Sequence, residues 1–349
     1  MTTLNPSSSP RKIYGNAKPE ELKQKHIDGF SDERQIILIL GEGGTGKTRR
    51  LRDLQTLLGK DNDRIVAPLY DFYHIENFKA SSIEQAIIGV LRKRGADDSN
   101  FEAYNAAEKA LEAARDDTSV QFPEKQQAVR NAFVSDYNAF AAAQPKHIVL
   151  IFDTVEQSVP LTDEAEEKLV QPQTDASAGG YYWLTNTLPQ LKNTITVLGG
   201  RENVLYGKPV KSGLYTELRT QVACKEFRVT GLNQADTREI AQELRRNDEA
   251  LDDEEHRVLY LVSDGNPFWI DVFLTHSEWG VEPNTKLDAL PEQVSQLSEQ
   301  ERNPYRQAVI ESLLDQIGPD TSNPLLIALQ CMASLRKGVN KKMLAHVAQ

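Results

Sequence analysis

The chain has 349 residues, 26% of them charged and 39% from the set Ala, Val, Ile, Leu, Met, Phe, Trp, Tyr and Cys, a globular composition that excludes fibrous and disordered classes. Forty Lys and Arg against 51 Asp and Glu leave a formal net charge of −11, so no global basic field exists to hold a nucleic-acid backbone, which argues against a nucleic-acid partner. Cys224 and Cys331 lie far apart and exclude a disulfide framework; with a polar N-terminus and no apolar run near the roughly 20 residues that span a bilayer, they predict a cytoplasmic protein without a membrane partner.

Residues 1–18 are rich in Ser, Pro and Asn, and a short helix follows with Pro19 in its first turn. Five apolar, β-leaning segments then appear: Gln35 to Leu40, Arg64 to Leu69, His147 to Phe152, Thr194 to Leu198 and Glu226 to Val229. Helical patterns separate them, among them Ser82 to Lys93, which ends before Gly95, and two helices at about 100–116 and 123–143. In the last of these Val129, Phe133, Tyr137 and Phe140 form a stripe at helical spacing. Strands that alternate with helices and are apolar on both faces predict an α/β fold, a parallel sheet covered by helices. Beyond Gly231 the pattern is helical, with stripes such as Ile240 with Leu244 and Val309 with Leu313, and a second break lies near residues 318–323.

The segment Gly41-Glu-Gly-Gly-Thr-Gly46-Lys47-Thr48 fits G-x-x-x-x-G-K-[ST], with an apolar strand before it and a helical pattern after it. Glycines reach positive φ and let successive N–H groups converge on an anion, and the following helix N-terminus adds partial positive charge. Gly41, Gly43, Gly44, Thr45, Gly46 and Arg49 are therefore candidate phosphate-side residues; Lys47 would meet the β- and γ-phosphates, and the Thr48 hydroxyl a Mg²⁺ ion. The same glycines also spell G-x-G-x-x-G, with Asp71 about 25 residues on, but a dinucleotide site has no use for a lysine and a hydroxyl after the third glycine.

The apolar run Ile148 to Phe152 ends in Asp153, at the strand end where parallel sheets bind ligands. Asp153 is the candidate Mg²⁺ partner, and Glu156 the candidate for orienting or deprotonating an attacking water. Thr154 fills the position where many ATPases place that base. The fourth strand ends in Gly199-Gly200-Arg201, and Arg201 is a candidate γ-phosphate contact.

Together with two later motifs, this constellation resembles the STAND class of P-loop ATPases, which includes the NACHT and apoptotic-ATPase signalling families. Phe227-Arg-Val-Thr-Gly231-Leu232 is similar to that class's entry into its helical domain. Gly265-Asn266-Pro267 is similar to its G-x-P element, which would set Pro267 near an adenine, and 325–347 resembles the start of its winged helix. The resemblance implies a five-stranded sheet in the order 5-1-4-3-2, an all-α lid that closes over ATP or ADP, and slow, switch-type hydrolysis coupled to rearrangement and assembly with effector and sensor domains or subunits. The expected organisation is a segment 1–30, a nucleotide-binding domain 31–230 with a helical insert at about 96–146, a helical lid 231–318 and the beginning of a winged helix at 319–349. Ile13-Tyr14-Gly15-Asn16 stands where a Gly-Arg pair is common in the class, and His346 lies in no matching context for a winged-helix ADP contact.

Two other readings are open. A scaffold would hold ATP or ADP with negligible turnover, and an origin-type AAA+ ATPase would load on DNA. Other features have plain explanations. Thr285-Lys-Leu-Asp288 imitates a guanine-reading pattern without a preceding strand, the acidic run 248–255 lacks the spacing of a calcium loop, and the six histidines show no zinc spacing. Arg336, Lys337, Lys341 and Lys342 cluster without a basic whole to support them.

Overall fold

The structure, a computed structural model, describes residues 15–276 apart from positions 17, 31–33, 62, 75–78, 115–121, 160–178, 202–212 and 245–251. Expectations for residues 1–14 and for 277–349 lie outside the described residues. These include the winged-helix start at 319–349, the stripe Val309 to Leu314, Thr285 to Asp288, Cys331, the basic cluster at 336–342 and His346.

Hydrophobic patterning places the strands. β1 (Arg34–Leu40), β4 (His147–Asp153) and β5 (Thr194–Gly200) are buried over most of their length, as expected of strands covered on both faces. The pairings among the described strands of the sheet are parallel. β6 (Cys224–Arg228) pairs with β1, β1 with β5, and β5 with β4; β2 (Arg64–Val66) and β3 (Tyr70–Asp71) both pair with β4. Where one strand is expected at 64–69, β2 stops at Val66 and a second short strand, β3, follows just beyond that segment. Pro68, which has no N–H for a ladder, lies in the break, while the Ala67 N–H still donates to the Val149 carbonyl at 2.9 Å. β6 also departs from expectation: as the edge strand it is partly exposed along its length, not apolar on both faces.

Helices α1 (Pro19–Leu22), α2 (Lys47–Leu58), α3 (Ala80–Arg92), α4 (Glu102–Ala113) and α5 (Phe122–Ala143) follow the predicted patterns. The stripe Val129, Phe133, Tyr137 and Phe140 is buried, and the Tyr137 hydroxyl pairs with Thr194 Oγ1 at 2.7 Å. Fully buried Trp183 packs its ring against Phe133 and against Phe152, the residue before Asp153.

Contacts divide the chain into two units, one formed by Pro19–Gly41 with Lys47–Arg228, the other by Glu42–Gly46 with the described residues from Val229 on. Among its described residues the second unit carries the helices Gln234–Leu244, Asp253–Ser263 and Pro267–His276. Its core is Leu232, Ala241, Leu259 and Ile270, with Ile240 and Leu244 packed against it. Among the described residues no helix is long and apolar enough to cross a membrane.

One buried acid stands apart from the strand ends. Glu84 of α3 is 1% exposed, and its Oε1 has no hydrogen-bond partner. Burial pushes its carboxyl up to about 7, although Arg130 and the donors of Tyr104 and Trp183 pull it down, with Glu108 adding to the rise. A carboxyl raised in the folded state binds a proton that the unfolded chain has already released, so its contribution falls as pH climbs from the ordinary carboxylate range toward 7. Glu84→Gln should therefore flatten the loss of stability between pH 4.5 and 7, seen as a smaller difference in denaturant midpoint between pH 5 and pH 8 than in the parent chain. Equal differences would show that the ionised form is fully compensated.

Candidate functional site

The glycine loop has the backbone that its composition predicts. Gly44 and Gly46 take φ of +84° and +86°, a conformation costly for any residue with a Cβ. The Thr45 hydroxyl donates to the Glu42 carbonyl at 2.9 Å and braces the turn. Helix α2 begins at Lys47, so the turn runs directly into a helix N-terminus. Lys47 is 9% exposed, and its ammonium donates to the Gly41 carbonyl at 2.8 Å. Arg49 stands on the exposed side of α2 and pairs with Asp53 at 3.6 Å, whereas Arg50 is buried.

Within the second unit the Asn266 side chain fastens the loop. Asn266 Nδ2 donates to the Gly43 carbonyl at 2.9 Å, and Asn266 Oδ1 accepts from the Phe268 N–H at 3.0 Å. Asn266 thereby caps the helix that Pro267 opens, an arrangement both residue types favour. A Cβ at Gly44 would come within 2.8 Å of Asn266 Oδ1 and 2.5 Å of Phe268 Cβ, so this glycine is required by space as well as by φ. The role of Asn266 was not legible from G-x-P spacing, because its partner is 223 positions away.

At the strand ends Asp153 is 2% exposed. Oδ1 accepts from the Thr154 N–H at 2.8 Å, and Oδ2 is buried without a hydrogen-bond partner. Burial raises the Asp153 carboxyl above the ordinary range; the Thr48 hydroxyl holds it down, Asp71 pushes it up, and the Thr154 N–H and Lys47 hold it down further. Lys47, Thr48 and Asp153 are thus brought together. Thr154 takes a left-handed conformation, φ 56°, which is strained for a β-branched residue. That turn leads into the 3₁₀ segment Val155–Ser158 and carries Glu156 to a buried position.

Glu156 lies beside Arg201. Its Oε2 accepts from the Arg201 N–H at 3.2 Å, and its Oε1 is 3.5 Å from Arg201 Nε, the two side chains being 8% and 35% exposed. Burial raises this carboxyl, while Lys47 and Arg201 lower it. The glycine pair that ends β5 makes room for both acids. A Cβ on Gly199 would sit 3.1 Å from Asp153 Oδ1, and one on Gly200 would sit 3.0 Å from Glu156 Oε2 and overlap the Tyr215 hydroxyl. Sequence reasoning found the pair but not its purpose, and it missed Tyr215 altogether.

Asp71 entered the sequence reading only as a decoy. It stands in register with Asp153 across β3 and β4. Its signal was available: an apolar stretch that ends in aspartate at a strand terminus, as at Asp153. Among the described residues no group of three His, Cys, Asp or Glu side chains is placed to hold a metal ion, so a cation here would also need hydroxyl and phosphate oxygens.

No family model matches the chain, and no curated protein matches it. Among solved structures it is similar to Drosophila ORC bound to DNA, at 18% identity over 84% of this chain and 66% of that one, with a TM-score of 0.40. It is also similar to the Aeropyrum pernix ORC1 protein in complex with DNA (13%, covering 90% and 69%, TM-score 0.35) and to the Aeropyrum pernix ORC2 protein in ADPNP–ADP complexes (14%, covering 77% and 64%, TM-score 0.30). The chain spans just under two thirds of the length of the first and third of these.

Because Gly200 has no side chain where Tyr215 and Glu156 crowd, Gly200→Ala should destabilise the chain by about 1–3 kcal/mol, the usual cost of overpacking. Removing the Tyr215 hydroxyl should recover part of that loss. Denaturant midpoints of Gly200→Ala, Tyr215→Phe and the double variant test this, and a strictly additive cycle would place the crowding elsewhere.

Proposed function

We propose that the chain is a P-loop ATPase that binds Mg-ATP through Gly41 to Thr48 and uses the bound nucleotide as a signalling switch, rearranging its helical segment to engage effector or sensor partners. The observation that carries this reading is a buried aspartate with one unsatisfied oxygen beside a P-loop lysine and hydroxyl. An orphaned buried carboxylate oxygen is costly unless a partner arrives, and an all-oxygen set of Thr48, Asp153 and phosphate suits Mg²⁺. When bound, Mg²⁺ would neutralise phosphate charge. Lys47 would leave the Gly41 carbonyl for the β- and γ-phosphates, and the amides after Gly43 would receive phosphate oxygens.

Glu156 fits best as the carboxylate that fixes Arg201. Both of its oxygens face that residue, which leaves it poorly disposed to take a proton from water. Arg201, about one-third exposed, would then meet the γ-phosphate in a set orientation and register its loss. Asn266 supports a switch because it joins Gly43 to the start of Pro267–His276. A shift of the loop on binding nucleotide would reach Trp269, in the first turn of that helix.

Two further readings share this site. An origin-type AAA+ ATPase would use the same loop, aspartate and arginine while loading on DNA, and the proteins of the similar solved structures are ORC subunits described with DNA or with ADPNP and ADP. A scaffold would bind nucleotide without turning it over. Duplex binding that weakens steeply with salt would favour the first, and phosphate release at background level with and without partner would favour the second.

Lys47→Ala should abolish ATP binding in a calorimetric titration; an unchanged affinity would end the nucleotide reading. Asp153→Asn should retain nucleotide and lose phosphate release, and undiminished release would remove Asp153 from the reaction. Intrinsic fluorescence should change on adding ADP or ATP, and both Trp269→Phe and Asn266→Ala should suppress the change. A signal that survives in Trp269→Phe would place the response at another tryptophan.

A further inference from the structure

The acid left over by this assignment is Asp71. β3 exists because the chain resumes pairing with β4 after Pro68, and that resumption puts Tyr70 opposite Phe152 and Asp71 opposite Asp153. Register partners on neighbouring parallel strands are about 4.8 Å apart and stand on the same face of the sheet. The pairing is consolidated on both sides: the Phe72 N–H donates to the Asp153 carbonyl at 3.0 Å, and the Tyr70 and Phe152 rings meet edge to face at 5.8 Å. Asp71 is itself oriented, since its Oδ1 accepts from the Tyr73 N–H at 2.9 Å. Two carboxylates held level at the ends of adjacent strands repel, and the negative charge of Asp71 does bear on Asp153. No backbone or side-chain donor answers the buried Asp153 Oδ2.

We propose that Asp71 is a second carboxylate of the cation site, flanking with Asp153 one divalent cation and its water shell. The proposal rests on the nucleotide reading above and goes beyond it, because neither the loop motif nor the Asp153 strand includes residue 71. Glu156 does not compete for the role, since its oxygens face Arg201. Asp71 approaches from the opposite neighbour of β4, the side away from β5. Mg²⁺ retains several waters, and a carboxylate one strand over is placed to accept from them without displacing Asp153 or Thr48.

The test is a titration of the full chain with Mn²⁺ in the presence of ADP, followed by electron paramagnetic resonance, with ADP affinity measured separately in EDTA. Asp71→Asn keeps an oxygen to accept from the Tyr73 N–H and removes only the charge. It should raise the half-saturating Mn²⁺ concentration about tenfold or more, the usual scale for a carboxylate that supports a metal, and leave metal-free ADP affinity unchanged. Asp98→Asn, whose side chain is 85% exposed, should titrate like the parent and controls for general charge. Should Asp71→Asn fail to fold, Asp71→Ser, whose hydroxyl can accept the same N–H, carries the same expectation. A parent chain with a nucleotide-dependent Mn²⁺ site that Asp71→Asn leaves intact would overturn the role of Asp71 while the nucleotide reading stood. A parent chain with no such site would overturn both.

Discussion

The architecture of the site turns on burying negative charge where a parallel sheet ends. An ionised carboxylate loses far more hydration on burial than an ordinary hydrogen bond returns, yet Asp153 and Glu156 are 2% and 6% exposed. The chain meets this cost unevenly. Glu156 is compensated within the structure by the main chain and guanidinium of Arg201. Asp153 is compensated in part, by the Thr48 hydroxyl, the Thr154 N–H and Lys47, and its Oδ2 has no hydrogen-bond partner. Glu156 is therefore held by the chain's own groups, while one buried oxygen of Asp153 goes without a hydrogen-bond partner.

Space for this arrangement comes from side chains that are absent. Gly199 admits Asp153 and Leu51, Gly200 admits Glu156 and Tyr215, and both stand in a strand that is buried from end to end. Glycine weakens a strand interior, so a tandem pair there is a local loss of strand stability that makes sense only through the groups it accommodates. The left-handed Thr154 has the same character, since its strain is what turns the chain off β4 and sets Glu156 against Arg201. Gly44 repeats the logic in the loop, where positive φ and the approach of Asn266 and Phe268 are satisfied by one residue type. Strand end and loop thus use the same device, each holding locally unfavourable backbone geometry within close-packed surroundings.

The polar cluster around Glu84 follows a different rule. It lies in the core under α3 and α5, beside Trp183, and through that ring it is joined by contact to Phe152, the residue before Asp153. Its cost is set first by burial, with Glu108 adding to it and Arg130 offsetting part of it, which makes it sensitive to pH.

Local features of the chain were legible without coordinates. The phosphate loop is a contiguous pattern whose glycine positions are fixed by backbone sterics, and β1, β4 and β5 are apolar runs long enough to declare themselves. The stripe Val129 to Phe140 follows from helical periodicity. Asp153 was legible because an acid that ends a buried strand has few other reasons to be there. Composition could not reveal that β2 stops before Pro68 and β3 follows beyond it, because a short apolar run does not show where pairing lapses and resumes. Nor could it show that Asp71 shares a register with Asp153, that Glu156 meets Arg201 45 positions away, or that Asn266 holds Gly43. Periodicity and spacing encode what lies within a few residues along the chain. Which distant acid meets an arginine, and which keeps an unpartnered oxygen, was decided only when strand register and loop packing set these groups in place.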